Sequence, residues 1–161
     1  MQIDMHKKMM LFRYSNYRRT DFIAEHKKVI NQNGYAWMLK AGKKSSTEKI
    51  DRVLTDGGYL ILKSPVKEGN NYYVAIFDSF MENTPDDKNG YPEYYKNFMD
   101  DMYDALAYQW FRIRNIYRME AVEADKIVLQ TNNKKISEVL ETTRTAVMFV
   151  QSIDIIGLEN L

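Results

Sequence analysis

The chain has 161 residues, no cysteine, two histidines and a net charge of +1. Without cysteine there are no disulfides, thiolate nucleophiles or sulfur-ligated zinc sites, and a charge this close to neutral argues against a polybasic, histone-like protein. No stretch approaches the roughly 20 apolar residues that cross a bilayer, so a single cytoplasmic domain over 1–161, away from membranes and with 1–8 frayed, is expected.

Residues 9–14 form an apolar run that breaks at Ser15 and Asn16, the pattern of a strand entering a polar turn. Thr20 and Asp21 then offer caps to a helix whose apolar positions, Phe22, Ile23, His26, Val29 and Ile30, share one face. Gly34 follows as a stop, and 35–40 alternates as a half-buried strand before a polar loop at 42–46. Ser46 or Thr47 caps a short helix carrying Ile50, Val53 and Leu54, closed by Asp56-Gly57-Gly58.

Residues 59–63 and 72–80 read as a hairpin joined through Pro65, Gly69 and Asn70. The segment 84–90 is the most polar in the chain and is predicted to be its most mobile loop and the place for proteolytic nicking. Pro92 suits the first turn of a helix to about residue 106, burying Tyr95, Phe98, Met99, Met102, Tyr103 and Leu106. A long strand at 110–119, a turn at 120–125 and a short strand at 127–130 follow. A helix capped by Asn132 or Asn133 and a β-branched strand at 145–151 complete the list. This order predicts an α+β fold: a small, mixed or antiparallel open barrel flanked by short helices.

Charge is unevenly distributed. Lys7, Lys8, Arg13, Arg18 and Arg19 dominate 1–19, whereas 86–106 carries Asp86, Asp87, Glu93, Asp100, Asp101 and Asp104. A period of two in 110–119 places Trp110, Arg112, Arg114 and Arg118 on one face, a basic ladder headed by an aromatic ring that suits phosphate and base. The other reading of that face is that its arginines pair with the acidic helix before it. Arg13-Tyr14-Ser15-Asn16-Tyr17-Arg18-Arg19 interleaves cations, hydroxyls and rings just before a helix N-terminus, where free N–H groups favour an anion.

Lys40-Ala41-Gly42-Lys43-Lys44-Ser45-Ser46 lacks the first glycine of a P-loop and is not an NTPase signature. Asp100 and Asp104 share a helical face without a third acid, so a solvated face is expected rather than a metal site, and no cofactor is expected. His26 lies on an apolar stripe, with Glu25 beside it as the one hint of acid–base chemistry.

The strings Gly34-Tyr35-Ala36-Trp37-Met38-Leu39-Lys40 and Gly57-Gly58-Tyr59-Leu60-Ile61-Leu62-Lys63-Ser64, with Trp110-Phe111-Arg112-Ile113 late in the chain, give it a resemblance to the PUA-like superfamily, which includes the EVE and ASCH domains. That resemblance implies an open barrel of roughly five or six strands whose cleft binds RNA or a modified, flipped-out base. It would place Tyr14, Asn16, Trp37, Lys40, Lys63, Ser64, Trp110 and Arg112 around such a base. The neutral net charge and the acidic helix depart from that pattern.

Three functions fit these readings. The first is a module that binds nucleic acid, RNA or DNA, or a nucleotide, with phosphates on Arg13, Arg18, Arg19, Arg112 and Arg114 and a base in an aromatic pocket. The second is an enzyme on a nucleotide or other small anion, using Glu25, His26 or an aspartate near Arg112. The third is an interaction protein of an accessory or mobile-element locus, acting through the acidic helix and the 84–90 loop. The sequence carries no catalytic motif, so the binding module is the expected function.

Overall fold

Apolar runs without polar alternation, such as Met9-Met10-Leu11 and Leu60-Ile61-Leu62, need cover on both faces of a sheet, and they receive it. The computed structural model describes residues 1–102 and 108–161, the side chains of 100–102 excepted. Its strands are β1 (Gln2–Ile3), β2 (Lys8–Arg13), β3 (Ala36–Ala41), β4 (Tyr59–Lys63), β5 (Tyr72–Met81), β6 (Tyr108–Met119), β7 (Ile127–Leu129), β8 (Val147–Ser152), β9 (Ile156–Gly157) and β10 (Glu159–Asn160). Its helices are α1 (Phe22–Asn33), α2 (Thr47–Thr55), α3 (Tyr95–Met102) and α4 (Ile136–Thr142).

The fold is mixed α+β around one eight-stranded sheet in the order β10-β6-β5-β4-β2-β8-β7, with β3 also paired to β6. The sheet is open and does not close on itself. All of its pairings are antiparallel except β2 with β4, which run parallel in a register that sets Arg13 opposite Lys63. Met10, Leu60, Leu62 and Phe77 pack with Phe22, Ile30, Ile50 and Val53, residues of α1 and α2, in one cluster. Met9, Leu11, Ile61 and Val74 pack with Ala124, Ile136 and Ile156 in a second. A third cluster joins Trp37, Leu39 and Trp110 to Tyr91 and Tyr95.

Local signals account for most boundaries. The Asp21 side chain accepts from Ala24 N–H at 3.0 Å to start α1, and Gly34 at φ 82° ends it. Ser46 Oγ accepts from Lys49 N–H at 3.3 Å to start α2. Gly58, at φ 72°, lies so close to the Phe77 carbonyl that a Cβ there would strike its oxygen, and its own carbonyl accepts from Phe77 N–H at 2.9 Å.

Several expectations are corrected. Residues 1–8 are not frayed: Ile3 is buried, β1 pairs with β9, and His6 N–H reaches Ser152 O at 2.8 Å. The pairing needs a strand of two residues near the far end of the chain, too short to leave a periodic signal. The loop 84–90 is tied by Asn33 Nδ2 to Asn89 O at 2.8 Å, by Trp37 N–H to Gly90 O at 2.7 Å and by a hydrogen bond between Tyr35 and Asp87. Residues Ala36 to Lys40 are all buried instead of alternating, because the segment around Tyr91 and Tyr95 covers the second face of β3.

Asn132 and Asn133 do not cap α4, whose N-cap is Lys135; Asn132 Oδ1 accepts from Lys134 N–H at 3.0 Å in the preceding turn. The expected helix at 92–106 is seen as α3, and Tyr103, Asp104 and Leu106 lie outside the described residues. Among the described residues no helix is long and apolar enough to cross a membrane.

Candidate functional site

A cavity of about 720 Å³ opens where the parallel strands β2 and β4 end, the position at which parallel sheets usually offer a ligand room. Arg13, Tyr14, Lys63 and Ser64 line it with Tyr72 and Glu141. One Arg13 Nη donates to Leu140 O at 2.8 Å and Thr143 O at 2.7 Å, so the guanidinium closes the C-terminus of α4 and is held in place by it. Arg13 Nε is buried with no hydrogen-bond partner among the described residues.

Lys63 is 6% exposed, donates from Nζ to Ser64 O at 2.5 Å and lies 5.3 Å from the Tyr72 ring centroid. Among the described residues neither Arg13 nor Lys63 forms an ion pair. Burial, and then the neighbouring Arg13 charge, lowers the Lys63 ammonium pKa. Burial also lowers that of Arg13 and raises those of Tyr14 and Tyr72. Two basic side chains thus share the cleft, with the exposed Glu141 on its wall and Glu68 and Asp125 close enough to act on Tyr14 and Tyr72.

Arg13 and Tyr14 also line a second cavity of about 260 Å³, walled by Tyr17, Phe22, Tyr94, Tyr95 and Phe98. Tyr14 stacks on Phe22 with centroids 4.6 Å apart, and Tyr17 meets Phe98 edge-on at 5.2 Å. Behind this slot lies the fully buried His26. Its Nδ1 is 2.6 Å from the Phe22 carbonyl, which can only accept, so Nδ1 carries the proton and Nε2 accepts from the Tyr95 hydroxyl. Tyr95 in turn accepts from Leu39 N–H at 3.1 Å. Burial, opposed by the Phe22 carbonyl, holds the imidazole pKa down to about 4. His26 is thus neutral near pH 7 and orients Tyr95.

A third cavity of about 410 Å³ shares Ala41 and Ala146 with the slot and is lined by Lys40, Lys43 and Lys44 across from Thr145 and Phe149. Lys40 is buried and donates to Lys43 O at 2.6 Å and Gln109 Oε1 at 3.2 Å. Gln109 clasps Ser45 from both sides, accepting from its N–H and donating to its carbonyl, each at 2.9 Å. The loop that carries Lys43 and Lys44 is therefore fixed from beneath. Through the shared residues the three cavities form one track: Arg13–Lys63 cleft, aromatic slot, lysine-lined groove.

Of the residues singled out from sequence, Arg13, Tyr14, Lys63 and Ser64 converge on the cleft. Lys40 belongs to the groove as a scaffold. Asn16 does not face a ligand: its Oδ1 accepts from Phe22 N–H at 2.9 Å, which with Asp21 fills the α1 N-terminus where an anion was expected. Arg18 and Arg19 sit at positive φ of 48° and 64°, and the Arg18 guanidinium lies 5.2 Å from the Tyr17 centroid.

Trp37 and Trp110 are buried in the third cluster, covered by Tyr91 and Tyr95, and neither lines the slot. A β-bulge between β5 and β6 brings Asp78 against both Arg112 and Arg114, the first at 2.8 Å. Burial pushes the Asp78 carboxyl up, but its bonds to the two arginines outweigh this and leave it below the usual range. One carboxylate on the neighbouring strand thus engages two arginines of the ladder and leaves the pair with a net charge of about +1, and those two arginines lie over Tyr35, 5.8 Å for Arg112 and 5.7 Å for Arg114.

Phe22, Tyr72, Tyr94, Tyr95, Phe98 and Glu141 complete the cleft and slot. In the sequence, Tyr91, Tyr94 and Tyr95 around Pro92 suggest an aromatic wall; Tyr94 and Tyr95 line the slot, whereas Tyr91 packs in the third cluster, and Tyr72 and Glu141 leave no sign. The side chains of Asp100 and Asp101, and Asp104 altogether, fall outside the described residues. The chain matches no protein-family model, and comparison with curated proteins and with solved structures found no match.

Proposed function

We propose that this chain binds nucleic acid, RNA or DNA, as an unpaired strand or a nucleotide, with a phosphate in the Arg13–Lys63 cleft and a base in the aromatic slot. The observation that carries the reading is that Arg13 and Tyr14 line both cavities, so charge and ring faces meet at one place. A base must leave a duplex to enter such a slot, and stacking on an aromatic side chain contributes about 1–3 kcal/mol per base. The eight-stranded sheet does not close into the barrel of roughly five or six strands that the PUA-like resemblance implies, so the proposal rests on the site and not on that resemblance. An acid–base enzyme is less well supported, because His26 is held between a carbonyl and a phenol behind the slot.

The test is fluorescence anisotropy with labelled single- and double-stranded RNA and DNA at about 50 and 200 mM salt. Single strands are expected to bind, to weaken at the higher salt and to outcompete duplex. Failure of every oligonucleotide to bind at low salt overturns the reading. Tryptophan emission is a poor reporter, since Trp37 and Trp110 are both buried away from the slot.

A further inference from the structure

We infer that the Arg13–Lys63 cleft is a site for a phosphate monoester, the terminal phosphate of a strand or nucleotide, and not for an internal phosphodiester. The inference rests on the nucleic-acid reading for the source of the phosphate; its charge argument rests on the cleft alone.

Two cations stand opposite each other in one register, and among the described residues neither has an ion-pair partner. A phosphodiester carries one negative charge, whereas a phosphate monoester near neutral pH carries about −1.5 to −2 and offers three acceptor oxygens. The monoester is the better match to a pair. Lys63 is 6% exposed and donates to a neutral carbonyl only, so its ammonium has lost hydration that a bound anion would offset. Arg13 is fixed by two carbonyls of the α4 C-terminus that take one of its Nη groups, so the other Nη is oriented before any ligand arrives.

Order among the cavities is consistent with this: the slot shares lining residues with both the cleft and the groove, and these two share none with each other, which puts the cleft at one end of the series. A strand with one base in the slot and its chain toward the groove would present its terminal phosphate to the cleft.

The experiment uses the full chain and three forms of one labelled RNA hexamer, with a 5′-phosphate, a 3′-phosphate or hydroxyls at both ends, and inorganic phosphate as competitor. One phosphorylated form is expected to bind about tenfold tighter than the hydroxyl form, the scale of one charge-assisted contact. Lys63→Gln is expected to abolish that preference and Lys63→Arg to retain it. Should the Lys63 variants not fold, Glu141→Lys, at an exposed position, is expected to tighten phosphate-ended hexamer more than hydroxyl-ended. Equal affinity of all three ends, or equal tightening of all three by Glu141→Lys, overturns the monoester site and leaves the strand reading standing. Binding of inorganic phosphate that Lys63→Gln abolishes, with no hexamer bound at low salt, supports the dianion site and overturns the strand reading.

Discussion

Arg13 and Lys63 occupy the same rung of the parallel β2–β4 pair, yet their cationic groups are held in different ways. Arg13 is bound to the end of a helix, through carbonyls 127 and 130 residues away in sequence. Lys63 leans on the next residue's carbonyl and on the Tyr72 ring. Removing one should disturb the fold as well as the site; removing the other should act mainly on the site.

Arg13→Met is therefore expected to destabilise the chain by about 2 kcal/mol, because the Leu140 and Thr143 carbonyls lose a charged donor. Urea unfolding measures this, and hydrogen exchange should show the loss concentrated in the last turn of α4. An unchanged midpoint would mean that Arg13 does not hold the helix.

His26 makes stability depend on pH. Its folded pKa is about 4 against an ordinary value of 6.5, so between those limits the unfolded chain binds a proton that the folded chain does not. Stability from this group is complete above about pH 6.5 and is lost as pH falls toward 4, by about 3 kcal/mol over the window. Denaturant midpoints of the wild type should fall more steeply across that range than those of His26→Gln, which lowers stability at neutral pH but does not titrate. Parallel curves would contradict a neutral, proton-donating His26.

What the sequence shows and what it hides divide by range. The α1 cap and stop, the α2 cap and the β4–β5 hairpin follow from residues a few positions apart, and each appears where local chemistry puts it. Arg13, Tyr14, Lys63 and Ser64 were legible as polar residues at strand ends. The parallel pairing that brings them together, and the α4 end that fixes Arg13, depend on contacts no local pattern encodes. Trp110 shows the opposite failure: a period of two puts it beside the arginines, but Tyr91 and Tyr95 cover that stretch of the sheet. The bulge that delivers Asp78 to Arg112 and Arg114 is likewise a property of two strands and not of one.

That bulge separates the proposed interface from the basic ladder. Since Asp78 already engages both guanidiniums, the double variant Arg112→Gln, Arg114→Gln is expected to leave single-strand affinity within about twofold and the salt dependence unchanged. Anisotropy at several salt concentrations checks this. A drop of tenfold or more would move the interface to the outer face of β6.

The groove loop offers a test of preorganisation. Gln109 is buried, and its amide satisfies the Ser45 N–H, the Ser45 carbonyl and part of the Lys40 ammonium. Gln109→Leu keeps roughly the volume and removes all three partners, leaving a buried cation short of an acceptor, so a loss of about 1–3 kcal/mol is expected in urea unfolding. The Ser45 amide should change from protected to fast-exchanging, because its acceptor is gone. With the loop released, Lys43 and Lys44 no longer hold fixed places along the track. Affinity for a hexamer that reaches the groove should then fall, while a dinucleotide confined to cleft and slot should bind as before. If the Ser45 amide exchanges as fast in the wild type, the clamp does not order this loop; if both ligands weaken equally, the groove is not a separate part of the path.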